Sequence, residues 1–285
     1  MRLVTASALA AVVLGGCAQA GGGADARIDV VASFYPLAFA AQRIGGDRVS
    51  VRNLTPSGAE PHDLELTPGQ VASIGRADLV LYLSGGFQPA VEDAVPRSRV
   101  SLDARAAIGA QPGPDASDPH LWLDPTRMMR IGRVVAARLA ALDPGGAGDY
   151  RRRAAALEDD LANLDRAFRS GLATCQRHEI VTSHAAFGYL AGRYGLRQIP
   201  ISGIDPEAEP TRRRLAEIVA LVRRYRVTTV FSETLLSART ARTIAREAGV
   251  RTDVLDPVEG VRGADTYVTV MNRNLQALRR ALGCR

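Results

Sequence analysis

The chain has 285 residues, with 36 Lys+Arg against 30 Asp+Glu and a formal net charge of +6. Every one of those cations is arginine, and without lysine the chain is excluded from the P-loop nucleotidases, the Schiff-base and pyridoxal enzymes and the kinases, each of which sets a lysine on a phosphate or carbonyl. A hydrophobic content of 46% beside 23% charged residues is globular composition, which rules out disordered and collagen-like chains.

The first 20 residues carry one charge, Arg2, then an apolar run over 6–14 and the sequence Leu14-Gly15-Gly16-Cys17. Such a run is too short to span a bilayer and reads as an export signal over 1–16. Its end resembles a bacterial lipobox, in which cleavage precedes the cysteine and the thiol receives a diacylglycerol. Cys17 is then the lipidated first residue of the mature protein, and the glycine-rich stretch 17–27 is a flexible tether. The alternative is an ordinary secretory signal cleaved after a nearby alanine. Both readings place the protein outside the cytoplasm, in the periplasm or on the outer face of the cell membrane.

From residue 28 onward, short β-rich runs alternate with amphipathic helical stretches, the pattern of parallel α/β layers. Strands are predicted over 28–33, 49–54, 79–83 and 100–102, with helices over 37–44, 68–74 and 89–95 between them. Two helices follow, 125–142 and 148–172, broken by Asp143-Pro144-Gly145-Gly146. The second has apolar residues at Leu157, Leu161, Leu164 and Phe168, a helical spacing; at a rise of 1.5 Å per residue it is about 35 Å long. A second set of strands comes at 179–182, 198–201, 228–231 and 252–255, with helices at 187–194, 211–225, 238–248 and 267–282. The expected architecture is α/β: two lobes, each a four-stranded parallel sheet flanked by helices, joined by one long rigid helix. The lobes cover 28–145 and 174–285 and the linking helix 146–173.

Export bears on the two remaining cysteines, since an oxidising compartment favours pairing. A Cys175–Cys284 disulfide would tie the end of the last helix back to its lobe; two unpaired buried thiols are the other possibility. The arginine runs 151–153 and 212–214 lie in helical segments and are followed by acids. They read as solvated helix faces, and with no zinc finger, RNP motif or aromatic-interleaved basic stretch no nucleic-acid partner is expected.

Only four histidines are present. His62 lies in a turn-rich segment after a strand, His120 in Asp118-Pro119-His120-Leu121-Trp122-Leu123-Asp124-Pro125 before a helix, and His184 at the end of the fifth strand. All three fit positions just beyond the carboxyl ends of strands, where open α/β sheets bind ligands. His178 falls on the other side of its strand and reads as a surface residue. Neutral imidazoles with a carboxylate make a four-coordinate N/O site for a borderline divalent metal, although spacings of 58 and 64 residues form no local metal motif.

The stretches VVASFYPL, GAEPHDLELTP, DPHLWLDP, VTSHAAFGYLAGRYGL and GADTYVTVMNRNL resemble the zinc- and manganese-specific substrate-binding proteins of bacterial ABC transporters. The resemblance spans nearly all of the mature chain. It implies the same two-lobe fold, with the metal buried between the lobes, and it places the first three ligands on His62, His120 and His184. The fourth falls on Asp256 in LDP, with a buried aspartate capping the following loop as the competing reading of that residue. Glu60 is the alternative ligand, since some zinc-binding members use a glutamate next to the first histidine.

Histidine at the third position is common among zinc binders, whereas manganese binders often have glutamate there, and three imidazoles with one carboxylate favour zinc on ligand softness. Manganese is the alternative, because the long His-rich loop of many zinc-binding members is here a short segment, 109–117, without histidine. Asp63, Asp118, Asp124 and Glu233 are candidates to orient the imidazoles.

The implied function is that of the extracytoplasmic binding component of a metal importer, lipid-anchored and monomeric. It would hand its cargo to a membrane permease driven by a cytoplasmic ATPase, and it is not an enzyme. The competing readings are a zinc-dependent hydrolase, disfavoured if Asp256 closes the coordination sphere, and a surface adhesin or metal sensor of the same fold.

Overall fold

The computed structural model describes residues 27–109 and 117–285; the export signal, Cys17 and most of the tether and of the segment 109–117 lie outside the described residues. The first half runs β1 (Ile28–Ala32), α1 (Tyr35–Gly45), β2 (Val49–Asn53), α2 (Pro68–Arg76), β3 (Leu79–Tyr82), α3 (Pro89–Ala94), β4 (Ser101–Asp103) and one turn, α4 (Ala104–Ala107). Two antiparallel-packed helices follow, α5 (Pro125–Leu142) and α6 (Ala147–Gly171). The second half runs β5 (Glu179–Thr182), α7 (Gly188–Tyr194), β6 (Arg197–Pro200), α8 (Arg212–Arg224), β7 (Thr229–Ser232), α9 (Arg239–Ala248), β8 (Arg251–Val254) and α10 (Tyr267–Leu282). Each strand lies within a residue of its predicted run, and only the short α4 went unpredicted.

Both sheets are wholly parallel and share one strand order, β2-β1-β3-β4 and β6-β5-β7-β8, so the two lobes repeat a topology without repeating a sequence. Alternation along each strand sends side chains to two cores. In the first sheet Val31 and Val80 pack outward with Leu54, Ile74 and Val91, while Val30, Ala32, Leu79 and Leu81 face the centre of the molecule. In the second, Val181 and Val230 pack outward with Ile218, Val222 and Ile244, and Ile180 and Phe231 face inward.

The inward faces meet in one unbroken apolar core that runs from Leu37 and Ile44 of α1 through α5 and α6 to Leu275 and Leu278 of α10. Helix α6 has 25 residues, about 37 Å at 1.5 Å per residue. It is not a free rod. Its stripe of Tyr150, Leu157, Leu161, Leu164 and Phe168 is buried, and its ends are pinned to opposite lobes. At the start, Arg48 bonds Asp143 at 3.0 Å and Asp149 at 3.3 Å, and Arg153 donates to the Gly45 carbonyl at 2.8 Å. Gly46 allows this approach: its φ is +56°, and a Cβ there would lie 2.6 Å from the Arg153 guanidinium carbon. Toward the other end, Asp165 accepts from Arg193 at 2.7 and 2.8 Å and from Tyr194 at 2.9 Å, both on α7. The expected resistance to hinging thus has a packing origin, since a lobe rotation would have to shear this core.

Cys175 and Cys284 form a disulfide across a sequence separation of 109 residues, tying the end of α10 to the segment before β5. No helix among the described residues is long and apolar enough to cross a membrane. Replacing both bridged cysteines with serine should destabilise the protein by about 4–5 kcal/mol on the chain-entropy scale, read as a lower thermal midpoint with an unchanged far-UV spectrum. An identical midpoint in the presence and absence of reductant would show that the bridge contributes nothing.

Candidate metal centre

Four side chains from four separate segments converge at the carboxyl ends of the two sheets. His62 comes from the loop between β2 and α2, His120 from the residue before the short turn Leu121–Leu123, His184 from the end of β5, and Glu259 from the loop between β8 and α10. One ligand atom from each lies within 4.8 Å of all the others. The His120 Nε2 is 3.2 Å from that of His62 and 3.3 Å from that of His184. Glu259 Oε1 is 3.2 Å from His120 Nε2, 3.4 Å from His62 Nε2 and 3.9 Å from His184 Nε2.

The other nitrogens of two of these rings are committed. His120 Nδ1 lies 2.8 Å from Asp118 Oδ1, and His184 Nδ1 lies 2.9 and 2.8 Å from the two oxygens of Glu233. A carboxylate at Nδ1 accepts a hydrogen bond from the Nδ1–H, which keeps the proton on that nitrogen and turns the Nε2 lone pair toward the centre, as in carboxylate–histidine–metal arrangements. The same acids accept from the backbone N–H groups of His120 at 2.9 Å and His184 at 3.2 Å, which fixes each ring's stem as well as its tip. His62 is held differently: its ring stands edge-on to Phe87 at 4.7 Å, and Gln88 Nε2 donates to the Pro61 carbonyl at 3.2 Å and to Thr55 Oγ1 at 3.1 Å.

Glu259 is fully buried, yet among the described residues neither of its oxygens has a hydrogen bond of good geometry. A carboxylate removed from water without donors is costly unless a cation compensates it. Beside it, His120 supplies part of that compensation: burial opposes a charge on the imidazole, but Asp118 and Glu259 outweigh it and push it up to about 9. Burial likewise disfavours charge on Glu259, but His120 and His62 hold its carboxyl well below the usual range. Burial pushes His62 below its ordinary value despite Glu259. Three convergent imidazole nitrogens and one anionic oxygen, mostly buried and closely spaced, form a donor set suited to a four-coordinate divalent metal.

Of the residues expected from sequence, His62, His120 and His184 meet here; Asp256 does not. Its Oδ1 accepts from Val258 N at 2.7 Å and its Oδ2 from Thr234 Oγ1 at 2.9 Å. Asn274 clamps its backbone, accepting from the Asp256 N–H at 2.9 Å and donating to the Asp256 carbonyl at 2.7 Å. Asp256 is therefore the cap of the loop that delivers Glu259. Trp122 Nε1 donates to the Pro257 carbonyl at 2.8 Å, and Val258 adopts φ +58°, a left-handed conformation rare for a β-branched residue. Together these turn the chain so that Glu259 points inward. The resemblance places the fourth ligand on Asp256 because LDP is the matched motif. The remaining signal was a glutamate three residues on, between Val258 and Gly260 with Val261 beyond, which marks an acid in an apolar loop.

Glu60 also lies outside the cluster. Its Oε1 accepts from His62 N at 3.4 Å, its Oε2 is buried without a partner among the described residues, and burial followed by the charge of Glu259 pushes it up to about 8. Asp118 and Glu233 orient imidazoles as expected. Asp124 instead caps α5 through Thr126 N at 2.8 Å and approaches Arg193 at 3.3 Å, and Asp63 is exposed. His120 departs from the expected strand-end placement, since it follows the segment after α4 and no strand. His178 sits ahead of β5, away from the centre, its carbonyl accepting from Arg197 N.

The zinc-binding lipoprotein AdcA of Streptococcus pneumoniae (strain R6) is 34% identical to this chain over 280 residues, covering 90% of the chain and 56% of the relative. The chain thus spans about half the length of that relative. A crystal structure of the Zn(II)-bound ZnuA-like domain of that protein superposes with a TM-score of 0.78 at 33% identity, covering 90% of this chain and 99% of the domain. The high-affinity zinc uptake system protein ZnuA of Bacillus subtilis (strain 168) is 32% identical over 288 residues, 92% of this chain and 90% of its own. The laminin-binding protein Lmb of Streptococcus agalactiae, described as bifunctional with adhesin and metal-transporting activity, superposes with a TM-score of 0.84 at 34% identity, covering 90% of this chain and 99% of Lmb. The model of the family described as "Zinc-uptake complex component A periplasmic" matches residues 30–281, and with it the chain belongs to that family.

Proposed function

We propose that this protein captures a single zinc ion between its lobes through His62, His120, His184 and Glu259 and delivers it to the permease of an ABC importer powered by a cytoplasmic ATPase. The observation that carries the reading is the buried, hydrogen-bond-starved Glu259 carboxylate facing three imidazole Nε2 atoms. Two histidine-bearing segments, those of His62 and His120, belong to the lobe of 28–145, while His184 and Glu259 belong to the lobe of 174–285. Bound metal would then cross-link the two, with 146–173 as their link. Three nitrogens and one oxygen favour zinc over manganese, whose sites are richer in oxygen, and the relatives named for zinc support the same choice. The protein acts outside the cytoplasm, anchored by a lipid on Cys17, as a monomer. The likeness to Lmb leaves adhesion as a second activity of this fold, but adhesion gives no account of a buried charge cluster.

Zinc titrated calorimetrically into metal-free protein should bind one-to-one. Glu259→Gln should weaken binding by more than the roughly 10–100-fold typical of substitutions that only support a ligand, whereas Asp256→Asn, which loosens the loop, should stay within that range. A larger loss for Asp256→Asn than for Glu259→Gln would reverse the assignment of the fourth ligand.

The imidazoles must be neutral to bind metal. With His120 protonated below about 9 in the free protein, zinc must displace a proton at neutral pH. Affinity should rise by about tenfold per pH unit through neutrality and level off near pH 9. Titration in buffers of different ionisation enthalpy should report about one proton released, and a pH-independent affinity between 6 and 8 would contradict this.

A further inference from the structure

Helices α8 and α9 pack side by side over the outward face of the second sheet, sharing the core of Ile218, Val222 and Ile244. Between them they carry eight arginines and two glutamates. That excess equals the formal net charge of +6 of the whole chain, so the rest of the molecule balances to zero. Arg239, Arg242 and Arg246 fall on one stripe of α9, all exposed, and among the described residues none makes a side-chain ion pair or hydrogen bond. On α8, Arg212, Arg213 and Arg223 are also exposed, and Arg223 reaches across to the Glu247 carbonyl at 2.7 Å, holding the two helices as one face. The α8 acid, Glu217, is already approached by Arg213 and Arg214 at 3.6 Å.

Read as separate runs in the sequence, these arginines are ordinary solvated helix faces; the fold gathers them onto one side. We infer that the α8–α9 face is an electrostatic docking surface for the anionic lipid headgroups of the membrane to which the protein is tethered. Charge complementarity supplies the attraction, as for basic helical faces at anionic bilayers. Chain length supplies the proximity: from Cys17 to the start of β1 the chain reaches at most about 40 Å even when fully extended, so the body never leaves the neighbourhood of the surface. The inference rests on the lipid-anchor reading only for that proximity. It assigns the charged layer to holding the tethered body on the bilayer between encounters with the permease.

The test uses the chain from Gln19 onward, which keeps every described residue and carries no lipid, so that the face is measured without the anchor. Sedimentation with vesicles of phosphatidylcholine alone and of phosphatidylcholine with one-third phosphatidylglycerol should show at least a tenfold greater partition onto the anionic vesicles at low salt. The difference should collapse at about 0.5 M salt, where charges are screened within a few ångströms. The variant Arg239→Gln/Arg242→Gln/Arg246→Gln should lose most of this partition. Arg52→Gln/Arg76→Gln/Arg151→Gln removes the same charge from exposed positions elsewhere and should retain it, with one-to-one zinc binding intact in both. Equal loss in the two variants, no preference for anionic vesicles, or retention on heparin without retention on vesicles would overturn the proposal. The anchor is judged separately, by the mass of a diacylglycerol on Cys17 in the native protein.

Discussion

A carboxylate buried without hydrogen-bond donors is the constraint around which this structure is arranged. Glu259 is fully buried and has no well-aligned donor among the described residues, and left alone it would cost several kcal/mol. What compensates it is positive charge at the position where three Nε2 atoms converge, whether a proton on His120 or a bound divalent ion. The carboxylates behind the rings sharpen this. Asp118 and Glu233 occupy the Nδ1 sides of His120 and His184, leaving the two rings only one direction in which to offer a lone pair. On the proposed function, proton and metal compete for one small volume.

The rest of the fold keeps that volume from relaxing. The Glu259 loop is locked by Asp256, Asn274 and Trp122. The Tyr267 hydroxyl at the start of α10 donates to the Trp122 carbonyl at 2.6 Å, and the Tyr267 N–H donates to the Tyr35 hydroxyl at 2.9 Å. These contacts join the lobes at the rim of the centre while the continuous core and α6 join them below it. His62 stands apart, with no carboxylate at its Nδ1 and with side-chain exposure of 10% against none for His120 and His184. Among the four it is the group least constrained by its surroundings.

Much of this was readable from residue order. Thr67-Pro68 and Asp124-Pro125 mark helix starts, and the structure places a capping box at Thr67 and an aspartate cap at Asp124. The spacing of Leu157, Leu161, Leu164 and Phe168 marks the buried stripe of α6. Three of the four groups at the metal centre are histidines, rare here and set in recognisable motifs. Glu259 and Asp256 were harder, because both are acids in one loop after the last strand and a motif match favours whichever lies inside the motif. What separates them is where each carboxylate finds partners, and that is a property of Thr234, Asn274 and the Val258 backbone.

Local and periodic information is written along the chain, so composition, strand and helix positions and family membership were determined by sequence alone. Nothing along the chain states that Glu259 rather than Asp256 reaches the centre, that of the candidate acids Glu233 is the one behind His184, or that α8 and α9, with eight arginines between them, lie side by side. Those depend on which segments the parallel sheets bring together. Tertiary structure alone decided them, because a buried charge or a charged surface is defined by its neighbours in space, and here those neighbours are tens to hundreds of residues apart.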